Sequence, residues 1–151
     1  MISLRRADSA DLPAIVALLA DDALGSVRED PSLPLDPAYI AAFDAIKRDP
    51  NHLLAVAERE NGAVIGCLQL TFLPGLSRKG AWRGQIESVR VAPSARNRGL
   101  GRQMINWAIA KCRERDCALV QLTSDTSRPD AARFYRELGF ADSHKGFKLW
   151  L

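Results

Sequence analysis

The sequence predicts one mixed α/β domain. Three observations carry that expectation. The chain has 151 residues, enough for one real hydrophobic core. Its apolar residues switch between a two-residue and a 3.6-residue period. The elements run β-α-α-β-β-β-α-β-α-β, with no repeat, low-complexity run or interdomain linker. Hydrophobic content of 47% against 26% charged residues is ordinary globular composition and excludes a disordered chain.

Ile2, Leu4 and Arg5-Arg6-Ala7 read as a short first strand. Ser9 or Asp8 can cap a helix with Pro13 in its first turn, where Leu12, Ile15, Val16 and Leu19 fall on one face. Gly25, Pro31, Pro34 and Pro37 forbid a long regular element across residues 23–37. A second helix begins at Asp36-Pro37, carries Tyr39/Ile40, Phe43 and Ile46 on one side, and ends at Asp49-Pro50. His52–Arg59 and Val64–Phe72 read as strands joined by Asn61-Gly62, a strong hairpin signal. Pro74-Gly75 opens a basic loop containing Arg78 and Lys79.

Gln85–Val91 reads as a strand with Ile86/Ser88/Arg90 and Glu87/Val89/Val91 on opposite sides, stopped by Pro93. Gly99–Arg115 is the longest helix, and Ala118–Thr123 reads as a buried strand. Ser127 and Asp130 have capping-box spacing before a helix that runs to Leu138, with Gly139 as its C-cap. Phe147–Leu151 reads as a closing strand.

Several classes are excluded or disfavoured. Three cysteines with no CxxC make neither a disulfide framework nor a zinc site, and a reducing cytoplasm is the expected compartment. The uncharged stretch Gly62–Ser77 is too short to span a bilayer and carries Gln69, Thr71 and Pro74, so no membrane association is expected. MISLRRAD has no apolar run, and no signal peptide is expected. Two histidines without a carboxylate cluster offer no metal site; His52 reads as a surface residue.

The net charge of +3 conceals an asymmetry. Residues 1–70 carry 6 Lys+Arg against 11 Asp+Glu, and residues 71–151 carry 15 against 7. A uniform nucleic-acid-binding surface would not divide this way, and no nucleic-acid partner is expected. An anionic ligand held by the second half would produce this division, with a cationic one approached from the first.

The most informative stretch is Val89-Arg90-Val91-Ala92-Pro93-Ser94-Ala95-Arg96-Asn97-Arg98-Gly99-Leu100-Gly101-Arg102. It ends a strand and opens the long helix. A helix N-terminus carries unpaired N–H groups and about half a unit of positive charge. Glycines let a phosphate come against the main chain, and Arg96, Arg98 and Arg102 add guanidinium donors. The whole is a cradle suited to a pyrophosphate; a basic turn with a helix cap is the plainer alternative. It is not a P-loop, because no Gly-Lys-Ser/Thr follows, and it lacks the third glycine of a dinucleotide fingerprint.

Arg96-x-x-Gly99-x-Gly101 after a Val-x-Val strand resembles motif A of the GNAT acyl-CoA-dependent N-acetyltransferases. Phe134-Tyr135-Arg136-Glu137-Leu138-Gly139-Phe140 is similar to that family's FYxxLGF segment. The element order matches over essentially the whole chain, so residues 1–151 are expected to form one such domain. The resemblance implies a mostly antiparallel twisted sheet, splayed between its fourth and fifth strands and flanked by about four helices. It implies acetyl-CoA as acyl donor and direct transfer to a primary amine in a ternary complex. Backbone groups of Val89, Arg90 and Val91 would hold the pantetheine, and Asn97, Arg98, Gly99, Leu100, Gly101 and Arg102 the pyrophosphate. Many members carry Asn seven residues before the FY tyrosine; Arg128 stands there instead, reaching a CoA phosphate or lying in solvent.

For the chemistry, the resemblance implies Tyr135 as general acid, since a phenol with pKa about 10 stays protonated at neutral pH. Tyr135 also belongs to the apolar stripe Ala131, Phe134, Tyr135, Leu138, which fits a core residue. Glu87 is the base candidate, as the only carboxylate on the central strand; it could equally orient substrate or be a solvated side chain. Where branches of the family place a base, this chain has Gln85 and, near the other position, Thr123. The acceptor side is read from Glu29 and Asp30 in the acidic segment 21–36, and from Trp82, Arg83 and His144. That segment would favour a cationic amine; helix capping and solubility are the alternative uses of its carboxylates. The acceptor is a small-molecule amine or a protein or peptide amine. Homodimers are common among relatives. A non-catalytic acyl-CoA-sensing module on the same fold is the alternative function.

Overall fold

A computed structural model describes the backbone of residues 1–151 and every side chain except that of Pro129. The elements are β1 (Ile2–Arg6), α1 (Leu12–Ala20), α2 (Pro37–Arg48), β2 (His52–Arg59), β3 (Val64–Leu73), the short turn α3 (Ser77–Gly80), β4 (Arg83–Val91), α4 (Leu100–Glu114), β5 (Leu119–Leu122) and α5 (Pro129–Glu137). The chain divides into two compact units, Met1–Gln121 and Leu122–Leu151.

In the first unit the strands lie in sequence order, β1-β2-β3-β4-β5. β1 to β4 are antiparallel, with Leu4 opposite Ala57, Leu53 opposite Leu70, and Leu70 opposite Ile86. The Ala118 N–H donates to the Trp82 carbonyl at 2.8 Å. Three residues further along both segments, Gln121 Nε2 donates to Gln85 Oε1 at 2.8 Å. The equal advance means β5 runs parallel to β4, so the sheet is mixed and open.

Each face of the sheet has its own cover. Leu68, Leu70 and Ile86 on one face are fully buried with Met104, Ile105, Ala108 and Cys112 of α4. The contact is tight at two glycines. A Cβ built on Gly66 would lie 2.8 Å from Met104 Sδ, and one on Gly84 would overlap Cys112 Sγ. On the opposite face, Leu12, Ile15 and Leu18 of α1 and Phe43 of α2 pack with Ala7, Leu54, Val56 and Cys67. Burial lifts the thiols of Cys67 and Cys112 to about 12, which leaves both protonated and unreactive at neutral pH.

α1 is anchored at its start by charge. The Asp8 side chain accepts from Ala10 N while Asp11 accepts from Asp8 N, a reciprocal cap on the turn Ser9–Asp11. Asp11, 7% exposed, also accepts two bonds from Arg5, at 2.7 and 2.9 Å, and the same guanidinium pairs with Glu58. β1, β2 and α1 are thereby tied at one point. α2 starts as expected, with Asp36 accepting from Ala38 N.

In the second unit the expected capping box of α5 is not formed. Asp125 takes both the Ser127 amide and hydroxyl, at 2.9 and 2.7 Å, and Arg128 becomes the N-cap without a side-chain cap bond. Gly139, at φ 94°, follows the helix end as expected. The expected closing strand Phe147–Leu151 is absent: residues 141–151 carry no regular element. Phe147, Leu149 and Trp150 are 92, 86 and 84% exposed, so the apolar alternation that suggested a strand is not buried. Among the described residues, no helix is long and apolar enough to cross a membrane.

Two outcomes test this packing. Gly84→Ala should lower stability by about 1–3 kcal/mol through overlap with Cys112, and Cys112→Ala in the same chain should restore most of it; urea unfolding of the four-member cycle checks the coupling. Arg5 holds the Asp11 carboxyl below its usual 3.8. A carboxyl depressed on folding stabilises above the unfolded pKa and loses that contribution as pH falls through the folded one. Asp11→Asn should therefore cost about 2–3 kcal/mol at pH 7, with the gap from wild type closing below pH 3.8 in the same measurement.

Candidate functional site

β4 leads into the candidate site, and its regular alternation breaks between Glu87 and Arg90. Cys67 pairs with Arg90 and Gln69 with Glu87, so two steps on β3 match three on β4. The extra residue is Ser88, at φ 55°. Such a bulge leaves one residue outside the ladder and re-aims those after it. Glu87 and Ser88 are both exposed in succession. Arg90, expected opposite Glu87, instead joins its face, across from Cys67. The Arg90 guanidinium donates to the Val89 carbonyl at 2.9 Å and lies 3.5 Å from Asp22, just beyond the end of α1. Val89, Arg90 and Val91 are all half-buried.

After β4 the chain makes a 3-10 turn at Pro93–Ala95 and then a left-handed step at Asn97, φ 60°. Gly99 follows at φ 77°, ψ 3° as the N-cap of α4. No side chain caps this helix, and its ladder begins with Gln103 N–H donating to the Gly99 carbonyl at 3.1 Å. The amides of Leu100 and Gly101 therefore open toward the turn, at the positive end of a helix of 15 residues. A Cβ on Gly99 would touch nothing within 4 Å, so glycine serves the backbone conformation and leaves the approach to those amides clear.

The basic side chains of the turn differ in their settings. Arg96 is held: Nε donates to the Val91 carbonyl at 3.1 Å and Nη2 to Asp21 at 3.1 Å. Arg98 and Asn97 are exposed at the rim, and Arg102 lies in the first turn of α4 on its exposed side.

Beside the bulge, the sheet face opposite α4 becomes polar. His52, Thr71 and Gln85 lie in register across β2, β3 and β4. Thr71 Oγ1 is 3.2 Å from His52 Nδ1, and Gln85 is bonded to Gln121 on β5. Glu87 stands one pleat further along, opposite Gln69. Sequence reading singled out Glu87 but missed this row, because each member looks ordinary alone; only the strand register aligns them.

The acidic segment is engaged within the fold. Asp21 pairs with Arg96 and Asp22 with Arg90. Glu29 accepts the Tyr39 hydroxyl at 2.7 Å, and that hydroxyl accepts the Asp30 amide at 2.9 Å. Asp30 accepts the Ser32 hydroxyl and amide, which draws its carboxyl below the usual carboxylate range. Trp82 is half-buried at the entry to β4, and Arg83 beside it is exposed.

In the second unit Tyr135 is half-buried, its ring edge-on to Phe134 and Phe140 at 5.1 and 5.9 Å. Arg128 is half-buried at the head of α5, its amide donating to Asp125. His144 is exposed and 2.6 Å from the Ser143 hydroxyl. Among the described residues, no group of three His, Cys, Asp or Glu side chains could hold a metal ion.

Comparison with known proteins bears on this arrangement. Residues 13–140 match the model of the acetyltransferase (GNAT) family. An aminoalkylphosphonate N-acetyltransferase from Salmonella typhimurium is 34% identical over 110 residues, covering 73% of this chain and 70% of the relative. A glucosamine 6-phosphate N-acetyltransferase from Trypanosoma brucei brucei is 30% identical over 150 residues, covering 98 and 95%. A crystal structure from Bacillus halodurans C-125, described as a transcriptional regulator, is 46% identical and superposes with a TM-score of 0.97, covering all of both chains.

Gly99→Val tests the cradle. A β-branched residue in the left-handed region costs about 1–3 kcal/mol of strain, and the turn that presents the amides should distort. Calorimetry should show coenzyme A affinity reduced at least tenfold; wild-type affinity would refute the cradle.

Proposed function

The chain belongs to the GNAT acetyltransferase family, and we propose that it moves the acetyl group of acetyl-CoA directly to the primary amine of a small molecule that also bears a phosphorus oxyanion. The observation that carries the reading is the bulged strand β4 followed by the uncapped N-terminus of α4. Acetyl-CoA is the acyl donor of the family. The acceptor class is supported by two relatives whose names specify an aminoalkylphosphonate and glucosamine 6-phosphate, each an amine with a phosphorus oxyanion. Three free cysteines and a CoA substrate fit a cytoplasmic setting.

In this proposal the CoA pyrophosphate lies on the amides of Leu100, Gly101 and Arg102, with Asn97 and Arg98 at its rim. Arg96 braces the turn through the Val91 carbonyl and Asp21, and Arg128 contributes to a CoA phosphate. The pantetheine runs along Val89–Val91, between β4 and β5, and brings the thioester to the bulge. There a main-chain N–H freed from the ladder stabilises the oxyanion as the carbonyl is attacked. The acceptor arrives as an ammonium and must lose a proton first, since its pKa is near 10. Glu87 takes that proton directly or through one water. The neutral nitrogen then bonds to the carbonyl carbon, the C–S bond breaks, the departing thiolate takes the Tyr135 hydroxyl proton, and the excess proton left on the new amide nitrogen passes through water to restore the tyrosine hydroxyl.

The description of the B. halodurans relative as a transcriptional regulator favours a second reading, acyl-CoA sensing without turnover. Thiol release over a panel of amines separates the two, since a sensor binds acetyl-CoA and releases no thiol. Under the enzyme reading, Tyr135→Phe should leave CoA affinity unchanged and lower kcat at least tenfold. Glu87→Gln should lower kcat by a similar factor, most strongly below about pH 10, where the amine is mainly protonated. Unchanged turnover in either variant would remove that residue from the mechanism.

A further inference from the structure

The charges that border the Glu87 face of the sheet are not those expected of a cation site. All five carboxylates of segment 21–36 are engaged: Asp21 and Asp22 with arginines, Glu29 with Tyr39, Asp30 with Ser32, and Asp36 with the first turn of α2. The opposite sign is exposed at the other end of β4. Leu73 pairs with Arg83, and the loop between them carries Arg78 and Lys79 on the turn α3. Among the described residues, the side chains of Arg78, Lys79 and Arg83 have no hydrogen-bond or ion-pair partner, and all three residues are exposed.

The loop is a shaped element. Arg78 (φ 56°, ψ 39°) and Lys79 (φ 59°, ψ 43°) are successive residues in the left-handed region, which L residues rarely occupy in tandem. Gly80 N–H donates to the Leu76 carbonyl at 3.1 Å and Ala81 N–H to the Ser77 carbonyl at 3.3 Å, which holds the turn. Two adjacent cations are thus presented on a braced turn at the mouth of β4.

The strand connects this turn to the proposed reaction centre. Gly84 and Ile86 are buried under α4, so Arg83, Gln85 and Glu87 project from the opposite face. Arg83 and Glu87 are four residues apart, about 13 Å of strand. With both side chains standing off the sheet face, that spacing is on the scale of a short amino-phosphoryl molecule bridging them. One end of that row is cationic and exposed, and the other carries an exposed carboxylate.

We propose that Arg78, Lys79 and Arg83 form the acceptor's oxyanion subsite, binding its phosphonate or phosphate while the amine faces Glu87. This inference rests on the amine-acetyltransferase reading above and adds the site that selects the acceptor. The guanidinium of Arg83 suits a bidentate grip, and Arg78 with Lys79 supplies neutralising charge.

Steady-state thiol release with matched acceptors tests it, using 2-aminoethylphosphonate against ethanolamine and an amino-sugar phosphate against the same amino sugar. Wild type should favour the phosphorylated member of at least one pair by 100-fold or more in kcat/KM. The pair that responds distinguishes phosphonate from phosphate. Arg78→Gln/Lys79→Gln should raise KM for the favoured acceptor at least tenfold, with its kcat, the KM for the unphosphorylated partner and CoA affinity unchanged. Arg83→Gln, tested separately, should show the same selective rise. Acetylation of amines with no phosphoryl preference, or a KM that neither variant moves, would overturn the subsite and leave the acetyltransferase reading standing. Acetyl-CoA binding with no amine turned over would overturn both.

Discussion

The close seating of α4 on the sheet is the constraint on which the rest of the first unit depends. Met104 and Cys112 descend onto Gly66 and Gly84, positions where a Cβ would collide with the helix. A helix held that near can bury Ile105 and Ala108 fully against Leu68, Leu70 and Ile86. The connection from Val91 to Leu100 must then turn through little space, and it does so with a 3-10 turn and left-handed steps at Asn97 and Gly99. The outcome is a helix whose first amides face away from the core, uncapped, at the end of a bulged strand. Packing thus fixes how those amides are presented: the residues responsible, Met104, Ile105, Ala108 and Cys112, lie inside the core.

Charge organisation follows from the same geometry. The acidic excess of residues 1–70 and the basic excess of residues 71–151 meet where Asp21 and Asp22 hold Arg96 and Arg90. α1 is anchored at its start by Asp11 on Arg5 and carries those two aspartates just past its end. One helix therefore links the β1–β2 edge to the turn that precedes α4. Arg96 is a brace in this arrangement, held by the Val91 carbonyl and Asp21, while Arg98 is exposed at the rim.

Much of this was legible in the residues, for identifiable reasons. The hairpin expected at Asn61-Gly62 forms, with Gly62 alone at positive φ, and Asp36-Pro37 starts α2 with the expected cap. The strand–turn–helix from Val89 to Arg102 was readable because its signal is local: a strand, glycines and arginines in a fixed order. The bulge at Ser88 was not, since serine has no special preference for positive φ and only pairing with β3 shows the extra residue. The polar row His52–Thr71–Gln85 was hidden likewise, because register is a property of several strands. The left-handed turn at Arg78-Lys79 contradicts local preference outright, and its neighbours Gly75 and Gly80 suggested only a loop. At Ser127 two local signals competed, and the Asx turn from Asp125 prevailed over the capping box. The apolar tail from Phe147 lacked the second half of a strand signal, a partner to pair with.

In the proposed function one short stretch, from the bulge of β4 to the first turn of α4, receives coenzyme A. Backbone amide NMR of the free protein titrated with coenzyme A tests it most directly. The largest shifts should fall at Val89–Val91 and at Asn97–Arg102, with the Leu100 and Gly101 amides moving downfield as they acquire phosphate acceptors. Shifts confined to other surfaces, with those amides unmoved at saturation, would contradict it.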